Sequence, residues 1–189
     1  MKKFFITALT ALSFYLSVNA QDNKFGLKIG LNFAELNDLE GVIKTGLLFG
    51  ATYNYSLNES FSLQPELVYS SQGVEDVIYD GKKISLNYLN LPLMAQYKLS
   101  FIKGASLELG PQIGYLLSSK NGGEAFINKL NKVDFSIGIG GTYEINEELS
   151  LSIRGIVGVT DTDIVDKHVP EANMTNKLIQ LTVGYKLPL

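Results

Sequence analysis

The stretch FSIGIGGTYEI (Phe135–Ile145) decides the fold. Its odd positions Phe135, Ile137, Ile139, Tyr143 and Ile145 are apolar, while Ser136, Gly138, Gly140, Thr142 and Glu144 between them are small or polar. A period of two marks a β-strand whose two faces meet different surroundings. If the apolar face is packed inside, the protein is a soluble β-structure. If that face meets lipid, the strand belongs to a membrane barrel.

Seven other segments share the alternation, so the eight predicted strands run over 25–34, 44–55, 61–72, 84–99, 105–117, 133–145, 149–160 and 177–187. Most are longer than the roughly 5–6 residues usual in globular proteins and suit the roughly 9–11 residues of a tilted membrane-spanning strand. The connections are sorted by length. Those after the second, fourth and sixth strands are short: SLNES (56–60), SFIKG (100–104) and NEE (146–148). Those after the first, third, fifth and seventh are long: 35–43, 73–83, 118–132 and 161–176. Short periplasmic turns opposite longer extracellular loops is the layout of a membrane barrel, whereas a sandwich has no reason to sort its loops. The expected fold is all-β: an eight-stranded antiparallel up-and-down transmembrane β-barrel with both ends of the chain on the short-turn side.

Glycine identifies the inner face. Gly26, Gly30, Gly46, Gly50, Gly110, Gly114, Gly138, Gly140, Gly158 and Gly184 all lie opposite the apolar residues. A glycine within a strand costs roughly 0.5–1 kcal/mol relative to alanine, a cost without return on a solvated sheet. In a narrow barrel it relieves crowding and allows tight bending. The glycine face is therefore the lumen, and the apolar face meets lipid. The same alternation turns Lys28, Glu66, Lys98, Glu108, Asp134, Glu144, Arg154 and Lys186 inward. Charges of both signs can pair and plug a barrel of this size. Arg154 is the expected hub, because its planar fork serves two carboxylates, with Asp134 and Glu108 as its expected partners. The site residues expected from sequence form a structural ionic network of Arg154, Asp134, Glu108, Glu66, Lys28 and Lys98, favoured over an ion path.

Aromatic residues gather near strand ends: Phe25, Tyr53, Tyr55, Phe61, Tyr97, Tyr143 and Tyr185 toward the short turns, and Phe33, Tyr69, Tyr115 and Phe135 toward the long loops. That is the placement of two interfacial girdles. Pro65, Pro92 and Pro111 fall inside strands, where a closed barrel has no free edge, and bulges are expected there.

The N-terminus carries Lys2 and Lys3, then the apolar run FFITALTALSFYLSV (Phe4–Val18), then Val18-Asn19-Ala20 before Gln21. This is the pattern of a secretory signal peptide over 1–20, cleaved to leave a barrel domain over 21–189. Cleavage removes two lysines and no acid, taking the formal charge from −3 to −5. That balance offers no footprint for nucleic acid. The chain has no cysteine, so an exported domain must hold together without disulfides. Residues 21–189 hold no apolar run of about 20 residues, hence no candidate membrane helix.

Six stretches, FSLQPELVYSSQG (61–73), YLNLPLMAQYKL (88–99), LELGPQIGYLLS (107–118), VDFSIGIGGTYEI (133–145), SIRGIVGVTD (152–161) and LTVGYKL (181–187), together span nearly the whole barrel region. In order and spacing this set resembles the PorT-like outer-membrane β-barrel proteins of Bacteroidetes. The resemblance implies an eight-stranded barrel in the bacterial outer membrane, contacting lipid and lipopolysaccharide and inserted by the outer-membrane assembly machinery. It implies no particular activity. Outer-membrane barrels often end in an aromatic residue read during insertion. This chain ends KLPL (186–189), which leaves Tyr185 to serve.

Motifs for chemistry are sparse. The only histidine, His168, lies in the loop 161–176 with Asp163, Asp166 and Thr162 nearby. Such a set carries catalysis only if the tertiary fold brings nucleophile, base and orienting group within hydrogen-bond reach. DTDIVD (Asp161–Asp166) departs from the EF-hand pattern, with Asp166 where glycine is required and Ala172 where glutamate is required. No cysteine metal cluster or phosphate-binding glycine loop is present, so no cofactor or metal is expected. The expected function is a non-enzymatic barrel with a closed lumen that interacts through its extracellular loops. A soluble lipocalin-like lipid carrier is the alternative, with the two faces exchanged, and a lipid A-modifying enzyme is a distant third.

Overall fold

In the computed structural model the described residues are 24–36, 42–75, 83–121, 124–125, 131–160 and 175–188. Alternation of this length produces strands β1 (Lys24–Leu36), β2 (Val42–Ser56), β3 (Phe61–Glu75), β4 (Lys83–Lys98) and β5 (Ala105–Asn121). After them come β6 (Glu124–Ala125), β7 (Val133–Glu144), β8 (Leu149–Gly158) and β9 (Asn176–Lys186). Each long strand pairs antiparallel with its neighbours in sequence, and β1 pairs with β9, from Gly26↔Lys186 to Leu36↔Asn176. The sheet therefore closes into an eight-stranded antiparallel barrel without free edges. The two-residue β6 folds back on the end of β5 through Lys120↔Ala125 and Asn121↔Glu124. It lies where the sequence suggested only loop.

The barrel is inside out relative to a soluble protein. From Val133 to Ile139 of β7 exposure alternates strictly, and Ile139 is 66 % exposed while Ser136 is 3 % exposed. The same apolar belt continues through Ile29, Leu47, Leu109, Ile153 and Leu181. All ten inner-face glycines point away from it, half-buried or buried. A lipid carrier requires the opposite arrangement, so the soluble lipocalin-like alternative is overturned: the interior is polar and filled, and the apolar surface faces out. Among the described residues no helix is long and apolar enough to cross a membrane.

Two of the short turns use one device. In Leu57–Phe61 the Asn58 side-chain oxygen accepts from the backbone N–H of Ser60 (2.9 Å) and Phe61 (2.8 Å). In Ile145–Leu149 Asn146 accepts from Glu148 (2.9 Å) and Leu149 (2.6 Å). Asparagine is suited to this because its short amide reaches donors two and three residues ahead. The turn between β4 and β5 is different: it closes with Leu99 N–H to Ala105 O (2.8 Å) and needs a left-handed residue, Gly104 at φ +84°. Aromatic rings meet across strand pairs at Phe25–Tyr53 (4.6 Å) and Phe61–Tyr97 (4.8 Å) near that end, and at Phe49–Tyr69 (5.1 Å) farther along the wall.

The prolines correct an expectation. Register shifts occur between Ile43 and Leu48 of β2 and between Asn87 and Tyr88 of β4, not at Pro65, Pro92 or Pro111. Each proline instead lies at a gap in one of its two ladders while the register on either side is unchanged. Pairing of β2 with β3 skips Pro65, β3 with β4 skips Pro92, and β4 with β5 skips Pro111. On its other side each proline stays paired, as in Pro65↔Leu93, Pro92↔Gln112 and Pro111↔Ile137. A missing N–H removes one ladder bond, and the long strands carry the register across it.

Candidate functional site: a cross-braced lumen

Around the closed barrel the order is β1, β2, β3, β4, β5, β7, β8, β9. Lys28, Glu66, Glu108 and Arg154 come from β1, β3, β5 and β8, which are alternate staves, so four walls each contribute one charge. Arg154 Nε donates to Glu108 Oε1 (2.8 Å), while Nη1 and Nη2 fork onto Glu66 Oε2 (3.1 Å) and Oε1 (2.9 Å). Lys28 Nζ donates to both oxygens of Glu66, at 2.9 and 3.0 Å. Two cations meet two carboxylates, all at least nine-tenths buried. Buried charges are tolerable only when paired and hydrogen-bonded. The remaining lone pairs are filled by Gln64 Nε2 to Glu66 Oε1 (2.8 Å), Gln96 Nε2 to Glu108 Oε2 (3.4 Å) and Thr142 Oγ1 to Glu108 Oε2 (3.3 Å).

Glycine makes the bracing possible. Glu108, Gly140 and Arg154 occupy one row across β5, β7 and β8. A Cβ on Gly140 would stand 2.3 Å from the Ile153 carbonyl and 3.0 Å from Glu108 Oε1. With no side chain there, Arg154 reaches over β7 to Glu108. Lys28 likewise sits in a row between Gly50 and Gly184.

Toward the long loops the lumen is filled by a second polar layer. Asn32 Nδ2 donates to Ser70 Oγ (2.8 Å), Gln180 Nε2 to Asn32 Oδ1 (3.0 Å), Gln112 Nε2 to Ser136 Oγ (3.1 Å) and Lys44 Nζ to Gln72 O (2.6 Å). Leu48, Leu86, Met94 and Ile156 are also buried inside the barrel. Toward the short turns the lumen opens into a cavity of about 600 Å³, lined by Lys24, Lys98, Lys103, Lys186 and Glu144 among other polar residues.

A family model described as the outer membrane protein beta-barrel domain matches residues 10–163. The chain belongs to that family. Among solved structures, it is similar to Neisserial surface protein A, with a TM-score of 0.59 and 11% identity, covering 87% of this chain and 97% of that one. It is also similar to Ail, the attachment invasion locus protein of Yersinia pestis, crystallised with the heparin analogue sucrose octasulfate. There the TM-score is 0.55 at 14% identity, covering 88% of this chain and all of Ail. No curated protein sequence matches the chain. At such identities the structures speak to fold alone, and the fold is that of outer-membrane barrels. Family and fold together place the protein in the outer membrane, with the short turns facing the periplasm.

Within this outer-membrane barrel, the residues expected from sequence divide. Arg154, Glu108, Glu66 and Lys28 meet in one cluster. Asp134 does not join them: the place expected for it beside Arg154 is taken by Glu66. Instead Asp134 lies in the row Asn90–Gly114–Asp134 of the upper lumen, where Asp134 Oδ1 and Asn90 Nδ2 are buried without a hydrogen-bond partner. Lys98 has the parity of the lumen but stands past its closed part, exposed at the periplasmic mouth. Glu144 and Lys186 pair with each other at that mouth. Sequence reasoning missed the basic mouth as a unit. Lys24 shares the inward parity of Gly26 and Lys28, but Lys103 sits in a turn where no periodicity orients it. The signal peptide, His168, Asp161, Thr162, Asp163, Asp166 and Ala172 lie outside the described residues. Among the described residues no cluster of three or more His, Cys, Asp or Glu could hold a metal ion.

Proposed function

We propose that this protein is a non-enzymatic outer-membrane anchor whose lumen passes no solute and whose work is done by the long connections on the extracellular side. The observation that carries the reading is the four-stave brace of Lys28, Glu66, Glu108 and Arg154, which fills the lumen and has no spare valence for chemistry. Loops held on a rigid barrel are where binding resides in such proteins. The contacting surroundings would be outer-membrane lipid and lipopolysaccharide, with insertion by the assembly machinery reading the β9 end at Tyr185. The resemblance of the six stretches to PorT-like proteins supports placing it in that branch of Bacteroidetes barrels. A signal peptide ending at Ala20 would deliver it through the Sec route, and a mature N-terminus other than Gln21 would disprove that boundary.

The test has two readouts. Vesicles carrying the refolded protein should be impermeable to small sugars in a swelling assay, and stable conductance would overturn the closed lumen. Shortening the connections 37–41, 76–82 and 161–174 to tight turns should leave the barrel folded while abolishing photo-crosslinking to surface partners on intact cells. Crosslinks that persist undiminished would move the binding surface elsewhere. The enzymatic alternative predicts a changed lipid A mass profile in His168→Ala cells, and an unchanged profile removes it.

A further inference from the structure

We infer that the periplasmic mouth of the barrel is a binding site for a phosphate ester. The reading rests on the cavity itself, independently of what the extracellular loops do. The cavity of about 600 Å³ has the size of a small-molecule site and is blind. Its inner end is closed by Asn54 and Gln96, joined by a 2.9 Å hydrogen bond, with Gln96 resting on Glu108 of the ionic brace. A ligand can therefore enter only from the periplasm.

The charge of the lining is one-sided. Lys24, Lys98, Lys103 and Lys186 face a single acid, Glu144, which Lys186 already holds. Among the described residues no carboxylate pairs with Lys24, Lys98 or Lys103. The brace next to the cavity is neutral, two cations against two carboxylates, so it cancels none of this surplus. A cleft with charge of one sign and low-dielectric walls concentrates counter-ions more strongly than a flat surface does. Three lysines, supplied from β1, β4 and the β4–β5 turn, line the one cavity, a set suited to a dianion with several outward oxygens. Lysine serves phosphate as a point charge, and no arginine fork selects for a flat carboxylate here. Ser100 in the wall adds a hydroxyl donor. The turn that supplies Lys103 also exposes Phe101 and Ile102, 78% and 46% accessible, which sets the site beside the inner leaflet. The phosphate could belong to a soluble periplasmic ester or to an anionic phospholipid headgroup.

The experiment uses the full chain refolded in phosphatidylcholine nanodiscs, where both mouths are accessible. Glycerol 3-phosphate is titrated by calorimetry, and in parallel the unfolding midpoint is compared in discs with and without phosphatidylglycerol. Saturable binding of glycerol 3-phosphate, weakened about tenfold in Lys98→Gln/Lys103→Gln, identifies a soluble ester. A midpoint raised only by phosphatidylglycerol, and lost in the same variant, identifies the lipid headgroup. Lys120→Gln, at the opposite end of the barrel, should change neither. Both substituted lysines are exposed, so the variant should keep its heat-dependent gel shift, and Lys103→Gln alone is the fallback. No response to either probe, or a response that the double variant keeps in full, overturns the proposal.

Discussion

Arg154 is the residue on which the interior turns, and the sign of each substitution around it follows from pairing. Arg154→Ala strands Glu66 and Glu108 in the lumen with Lys28 alone, and the expected loss is about 3–5 kcal/mol in lipid-bilayer unfolding. Arg154→Lys should recover little of it, since one ammonium cannot reproduce the fork onto Glu66 together with the Nε bond to Glu108. Asp134→Asn should behave in the opposite way. Its Oδ1 is buried without a partner, so removing the charge should leave the midpoint unchanged or raise it. A clear fall would mean that Oδ1 is paired after all. Gly140→Ala should destabilise despite the chemistry being conservative, because the added methyl falls 2.3 Å from a backbone carbonyl in the path of Arg154.

At the scale of the element, the turns carry as much information as the strands. Leu57–Phe61 and Ile145–Leu149 share the order apolar, Asn, Glu, polar, apolar, and in both the asparagine closes the hairpin. Asn58→Ala or Asn146→Ala should each cost about 0.5–2 kcal/mol, read as a lowered midpoint with the gel shift retained. Asn146→Asp, which keeps the acceptor oxygen, should restore most of it. The strands themselves were legible: the ends expected from alternation agree with those observed to within four residues. The misjudged feature was proline, read as a cause of bulges. An added residue is needed for a bulge, whereas a proline only withholds a donor, and a strand of 15–17 residues, such as β3, β4 or β5, holds its register across that gap.

The whole molecule is defined by which face meets lipid. Ile139 is exposed at mid-strand, and on a soluble protein Ile139→Lys would be nearly neutral. In this outer-membrane barrel it should cost about 2–4 kcal/mol in bilayers, as for a lysine near the midplane. A negligible cost would contradict the lipid-facing assignment. The same closure predicts that the protein from the outer-membrane fraction migrates faster on gels before boiling than after it.

The sequence by itself determined the number of barrel staves and the division into an apolar and a glycine-rich face, since each depends only on a period of two. It also brought the lumenal charges to one face, because parity is a local property. Only the tertiary structure decided which of those charges touch. Arg154 lies 88 residues from Glu66 in sequence, and the two meet because the barrel closes and sets their strands opposite each other. Height along the axis, fixed by register and strand stagger, kept Asp134 above the brace and Lys98 below it. The basic mouth is likewise a product of closure: β1, β4 and a turn converge there, and no single segment of the chain carries its charge.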